Sequence, residues 1–110
     1  VTKTNGEGFL YTTLRHQLIF EKELQNSEDD LFIKSQKPIH ESEIKTFGFG
    51  LKLEDRIGRK AIHHDGVTFG YHSQTNRFPN ERLTICILSN NGNIRSYQMA
   101  DKIANILLKK

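Results

Sequence analysis

The distribution of apolar residues changes period near the middle of the chain. In the first third, Leu14, Leu18, Phe20 and Leu24 recur near helical spacing behind Thr12 and Thr13. Either threonine can accept a bond from an otherwise free backbone N–H, so a helix is expected from about Thr13 to Leu24. Gln25 to Thr46 is polar and irregular. Within it, Ser27-Glu28-Asp29-Asp30 predicts the cap of a short helix running through Lys34, with Pro38 ending it.

From Phe47 the pattern alternates. Phe47, Phe49, Leu51 and Leu53 share one side, as expected for a half-buried strand. Glu54 to Gly58 reads as a turn in which Gly58 can take positive φ. Lys60 to His64 is the second expected strand and Asp65 to Phe69 a loop. Gly70 to Phe78 is the third strand, ended by Pro79-Asn80. Arg82 to Ser89 is the fourth, and its continuous apolar run predicts burial on both faces. After a turn at Asn90-Asn91-Gly92-Asn93, Met99, Ile103, Ile106 and Leu107 fall on one side of a final helix expected to cross the sheet. The fold class is therefore α+β: a four-stranded antiparallel meander with an N-terminal and a C-terminal helix.

Composition narrows the function. The net charge of +3 is dispersed, with no more than two basic residues adjacent, as at Arg59-Lys60 and Lys109-Lys110. A nucleic-acid partner would call for clustered positive charge, so none is expected. No apolar run approaches the length that crosses a bilayer. Cys86, the sole cysteine, sits in an apolar run and reads as a buried, inert thiol.

Two sharper readings concern His63-His64-Asp65-Gly66-Val67. Strand alternation puts His63 and His64 on opposite faces. A loop closing symmetrically about Thr68 would set His64 opposite His72 with Asp65 nearby, a partial zinc or copper site that still needs another ligand. No metal or other cofactor is expected.

The second reading rests on the order of motifs. Gly8-Phe9-Leu10-Tyr11-Thr12-Thr13, Phe47-Gly48-Phe49-Gly50, His64-Asp65-Gly66, Leu88-Ser89-Asn90 and a final helix follow one another. This order resembles the C-terminal part of the serine β-lactamase, penicillin-binding protein and esterase superfamily, in the branch nearest class C β-lactamases. His64-Asp65-Gly66 looks like the His-x-Gly form of the third motif, elsewhere Lys-Thr-Gly. The resemblance runs from about Gly8 to Leu108. It implies that residues 1–110 are a single partial domain, the C-terminal portion of a longer catalytic domain.

The resemblance also implies roles. His64 would line the cleft and hold relay and substrate hydrogen bonds. Gly66 would let substrate approach the backbone, and the Val67 N–H would be an oxyanion donor. His64, Asp65 and Val67 would contact substrate. The first two motifs are a nucleophilic Ser-x-x-Lys and a Tyr- or Ser-x-Asn. Ser42-Glu43-Ile44-Lys45 and Ser89-Asn90-Asn91 spell them, but in the wrong context and order. Ser42 precedes a strand instead of opening a buried helix, and Ser-x-Asn follows the His-x-Gly instead of preceding it.

The expected parent is thus a serine hydrolase acting on a β-lactam, a D-Ala peptide or a small ester. The resemblance would place it outside the cell or at the envelope. This chain alone should be inactive, completed by the N-terminal part of the domain, and prone to self-association. The rival is a binding or interaction module that keeps the sheet without the chemistry.

Overall fold

A computed structural model describes residue 8, residues 10–41 and residues 46–109. Ser42 and Lys45 lie outside the described residues. Helix α1 spans Leu14–Asn26. Thr13 caps it, its hydroxyl accepting the His16 N–H at 3.2 Å. Helix α2, Asp30–Ser35, is capped by Asp29, whose carboxylate accepts the Leu31 N–H at 2.8 Å.

Among the described residues six strands follow in chain order and pair antiparallel in that same order. They are β1 (His40–Glu41), β2 (Thr46–Phe47), β3 (Lys52–Leu53), β4 (Ile62–Thr68), β5 (Tyr71–Phe78) and β6 (Leu83–Ser89). Helix α3, Ser96–Leu107, closes the described chain. The α+β class, the meander and the terminal helices agree with expectation. The number of strands does not.

One extra strand, β1, falls in the Gln25–Thr46 stretch expected to be irregular, where it pairs with β2; the other has a local cause. The alternating run Phe47–Leu53 is folded into a hairpin of two short strands. Its turn is closed by the Gly48 N–H donating to the Leu51 carbonyl at 2.9 Å, with Gly50 at φ +69°. Gly48 abuts the end of α2: a Cβ there would sit 2.5 Å from the Ser35 carbonyl oxygen. Phe49, expected inside, is exposed in the turn. The β3–β4 connection behaves as anticipated. Ile57 and Gly58 both have positive φ, the twist that suits a two-residue hairpin turn.

The Asp65–Phe69 loop is not formed. Strand β4 runs on to Thr68, which pairs with Tyr71 across Phe69-Gly70. The alternation of Asp65, Gly66 and Val67 carries no apolar signal, so the strand was hidden by its polarity.

The two faces of the sheet are covered differently. Ala61, Phe78 and Ile85 meet Ala100 and Ala104 of α3 in the main core. The small alanines bring the helix close to Phe78. Ile103 packs partly at the edge of this core, whereas Met99, Ile106 and Leu107 remain exposed. The helix is therefore rotated from the orientation its large apolar residues suggested. On the other face, α1 and α2 cover Arg77, which is 1% exposed. Its guanidinium donates from Nε to Glu21 Oε2 at 3.2 Å and from Nη1 to Gln36 Oε1.

Strand β6 also departs from expectation. It is the last strand of the sheet, paired only with β5 among the described residues. Ile85 is buried, but Leu88 is 42% exposed. Cys86 is half-buried, its sulfur 3.5 Å from the Thr75 hydroxyl, and burial pushes the thiol above its usual range. The burial expected for this thiol is therefore met only in part.

Truncating one partner of a buried ion pair strands the other charge. Arg77→Ala should therefore cost about 3–5 kcal/mol in urea unfolding. The double variant Glu21→Leu/Arg77→Met should recover most of that loss, because no charge is left buried.

Candidate functional site

Strand β4 carries the His-Asp-Gly motif, and its register is fixed from both sides. His63 lies opposite Lys52 of β3 and Asn76 of β5. His64 lies opposite Thr75, and Gly66 opposite Ser73. Because side chains alternate, His63 and Asp65 share the α3 face, while His64 shares the α1 face with Ser73 and Thr75.

His63 is 1% exposed. Its Nε2–H donates to Glu54 Oε1 at 2.8 Å, and its ring meets Tyr97 edge-on at 6.2 Å. Arg56 stacks over the same Tyr97 ring at 3.7 Å and pairs with Asp101. A chain of polar contacts thus joins β4 to α3. Burial lowers the His63 pKa, and the Glu54 hydrogen bond opposes that shift only in part.

His64 is exposed. Its side chain stands on the α1 face, beyond the stretch that α1 and α2 cover. Strand β3 pairs with β4 only at Ile62 and His63. From His64 to Thr68 the outer edge of β4 has no neighbouring strand among the described residues. In an antiparallel ladder alternate residues direct N–H and C=O outward, so this edge offers backbone groups beside the imidazole.

Asp65 is separated from His64. Lys52 reaches its carboxylate on the α3 face and, by that hydrogen bond, holds it below the usual range. The Val67 side chain is on that same face and 69% exposed. Only the backbone of residues 65 to 67 can therefore act on the His64 side.

Gly66 has a structural reason that the sequence did not suggest. A Cβ at this position would lie 2.7 Å from the Ser73 Oγ. Its lack of a side chain admits the Ser73 hydroxyl next to His64 on the α1 face. Ser73 and Thr75 had no motif to mark them; only the register reveals them.

The His64–His72–Asp65 arrangement is not formed. The β4–β5 turn centres on Phe69-Gly70, so Val67, not His64, lies opposite His72. His64 and His72 are on opposite faces. Among the described residues no group of three His, Cys, Asp or Glu side chains is placed to hold a metal. No described helix is long and apolar enough to cross a membrane.

No family model, curated protein or solved structure matches the chain.

Two outcomes follow from this geometry. A folded-state pKa below the ordinary 6.5 means that folding favours neutral His63. That contribution is complete above about pH 6.5 and declines as pH falls from there towards the folded value, because the unfolded chain then binds the extra proton. His63→Gln should flatten the urea midpoint across this window, and a wild-type midpoint that rose on acidification would contradict the assignment. Second, Gly66→Ala should lower the urea midpoint, and Gly66→Ala/Ser73→Ala should restore most of it. No restoration would mean that Ser73 is not what Gly66 accommodates.

Proposed function

We propose that the chain is the C-terminal part of a serine hydrolase of the β-lactamase and transpeptidase-like type. In this reading His64 and the β4 edge form one wall of an acyl-transfer site. The imidazole would hydrogen-bond the proton relay and the substrate. The Val67 N–H would be one of two donors to the oxyanion, where preorganised hydrogen bonds stabilise developing charge. The nucleophilic serine and its lysine would come from the N-terminal part of the domain, together with the second donor. The substrate would be a β-lactam, a D-Ala peptide or a small ester.

One observation supports this most. His64 is exposed at the point where β3 ends and the outer edge of β4 becomes open. An extended acyl substrate could lie along that edge, with its backbone-like groups meeting those of residues 65 to 67. Asp65, drawn to the other face by Lys52, would serve through its backbone.

The reading makes a paired prediction. The 110-residue chain should neither hydrolyse a chromogenic β-lactam or ester nor be labelled by a fluorescent penicillin. In a parent chain carrying the upstream Ser-x-x-Lys, His64→Ala should slow acylation about 10²–10³-fold, the scale of one oxyanion-type donor. There His63→Ala should instead cost stability and leave turnover within a few fold. Labelling of the short chain that disappears with Ser42→Ala would overturn the role denied to that serine. A silent His64→Ala in an active parent would overturn the function and favour a binding module.

A further inference from the structure

The turn that joins β6 to α3 is built round Asn91. Its N–H donates to the Ser89 hydroxyl at 3.0 Å. Its side-chain Oδ1 accepts the Asn93 N–H at 2.9 Å, and its carbonyl accepts the Ile94 N–H at 3.3 Å. Asparagine suits this place because its side chain can bond its own backbone two residues on. Ser89 and Asn91, which spelled Ser-x-Asn in the sequence, thus bond each other.

Gly92 follows and rests on the β4–β5 turn, where a Cβ added to it would lie 3.4 Å from the Gly70 Cα. Asn91 and Gly92 are both exposed. Among the described residues Asn91 is the one asparagine followed by glycine.

This pair has a chemistry of its own. The Gly92 N–H donates to none of the described residues, so no hydrogen bond holds that nitrogen away from the Asn91 side chain. Glycine also lacks the Cβ that would crowd a close approach to its nitrogen. The Asn93 N–H already donates to Asn91 Oδ1, the atom on which negative charge develops when Cγ is attacked.

We propose that Asn91 is a site of spontaneous covalent modification, at which the Gly92 nitrogen closes on Asn91 Cγ and the amide becomes aspartate or isoaspartate. The nitrogen gives up its proton to hydroxide and bonds to Cγ. The bond from Cγ to Nδ2 breaks, and ammonia leaves with a proton taken from water. Water then opens the cyclic imide. Cleavage at Cγ yields aspartate. Cleavage at the Asn91 backbone carbonyl yields isoaspartate, with Gly92 linked through the former side chain. Nothing is oxidised or reduced. The proposal stands independently of the hydrolase reading, because no residue of the His64 site takes part.

The two products act differently on the fold. Aspartate keeps an acceptor for the Asn93 N–H. Isoaspartate lengthens the main chain by a methylene and displaces the carbonyl that Ile94 uses, so Gly92 lifts from Gly70. The turn positions the start of α3, where Tyr97 meets His63. Isoaspartate therefore loosens the contact that holds β4.

The test holds the folded 110-residue chain in mildly alkaline buffer and follows it by peptide mapping, with isoaspartate read by isoaspartyl methyltransferase labelling. Among the described asparagines, amide loss should concentrate at Asn91. Asn5-Gly6 falls in a separate peptide. Gly92→Ala should slow the loss at Asn91 severalfold and keep the fold, because its Cβ makes an ordinary contact with Gly70. The purified isoaspartyl form should have a lower urea midpoint than wild type, and Asn91→Asp a midpoint close to wild type. An Asn91 amide that survives in the folded chain would overturn the site, and its loss in guanidinium chloride would then mark the fold as protective. Loss that Gly92→Ala leaves unchanged would overturn the ring closure. An isoaspartyl form as stable as wild type would overturn the link to α3.

Discussion

The register of β4 is the constraint on which the rest depends. Its cause is the burial of His63. A neutral imidazole under α3 is tolerable because Glu54 accepts its N–H and Tyr97 and Arg56 close over it. Slipping the strand by one residue would put His64 into that pocket and His63 into water, and would turn every side chain of the strand over. The same contacts that hold the strand therefore select which histidine is available for chemistry. Lys52 reinforces the choice by taking Asp65 to the α3 face.

The two faces of the sheet are built on different physics. Towards α3 the packing is close and mostly apolar, with Phe78 wholly buried against Ala100 and Ala104. Towards α1 the central contact is ionic. Arg77 and Glu21 have left water together, and the Gln36 carbonyl satisfies another of the guanidinium donors. A pair of this kind adds little to stability over an apolar pair of the same size, but it penalises any arrangement that separates its members. It thereby fixes where α1 and α2 sit, and leaves the His64 end of that face uncovered.

Much of this was legible from residue order. The helix caps at Thr13 and Asp29, the turn at Gly58 and the strands ending at Phe78 and Ser89 all carry local signals. Strand β1, inside a polar stretch read as irregular, did not, nor did three further features. The hairpin within Phe47–Leu53 depends on Gly48 meeting Ser35, a contact between segments that alternation cannot reveal. The length of β4 was hidden because Asp65 and Gly66 look like turn residues, and only pairing with Ser73 and Gln74 makes them strand. The rotation of α3 followed its alanines instead of its larger side chains, because close approach to Phe78 requires small residues. At the site, the opposition of His63 and His64 was readable from period two. The partners Lys52, Glu54 and Ser73 were not, since each comes from a neighbouring strand or loop.

The inward His63 and outward His64 can be tested without any substrate. Brief treatment of the folded chain with diethyl pyrocarbonate, followed by peptide mapping, reads the accessibility of each ring nitrogen. Carbethoxylation should be fast at His64, with His63 protected until the chain is unfolded in urea. Fast modification of His63 with His64 protected would contradict the register, and with it every role assigned along β4.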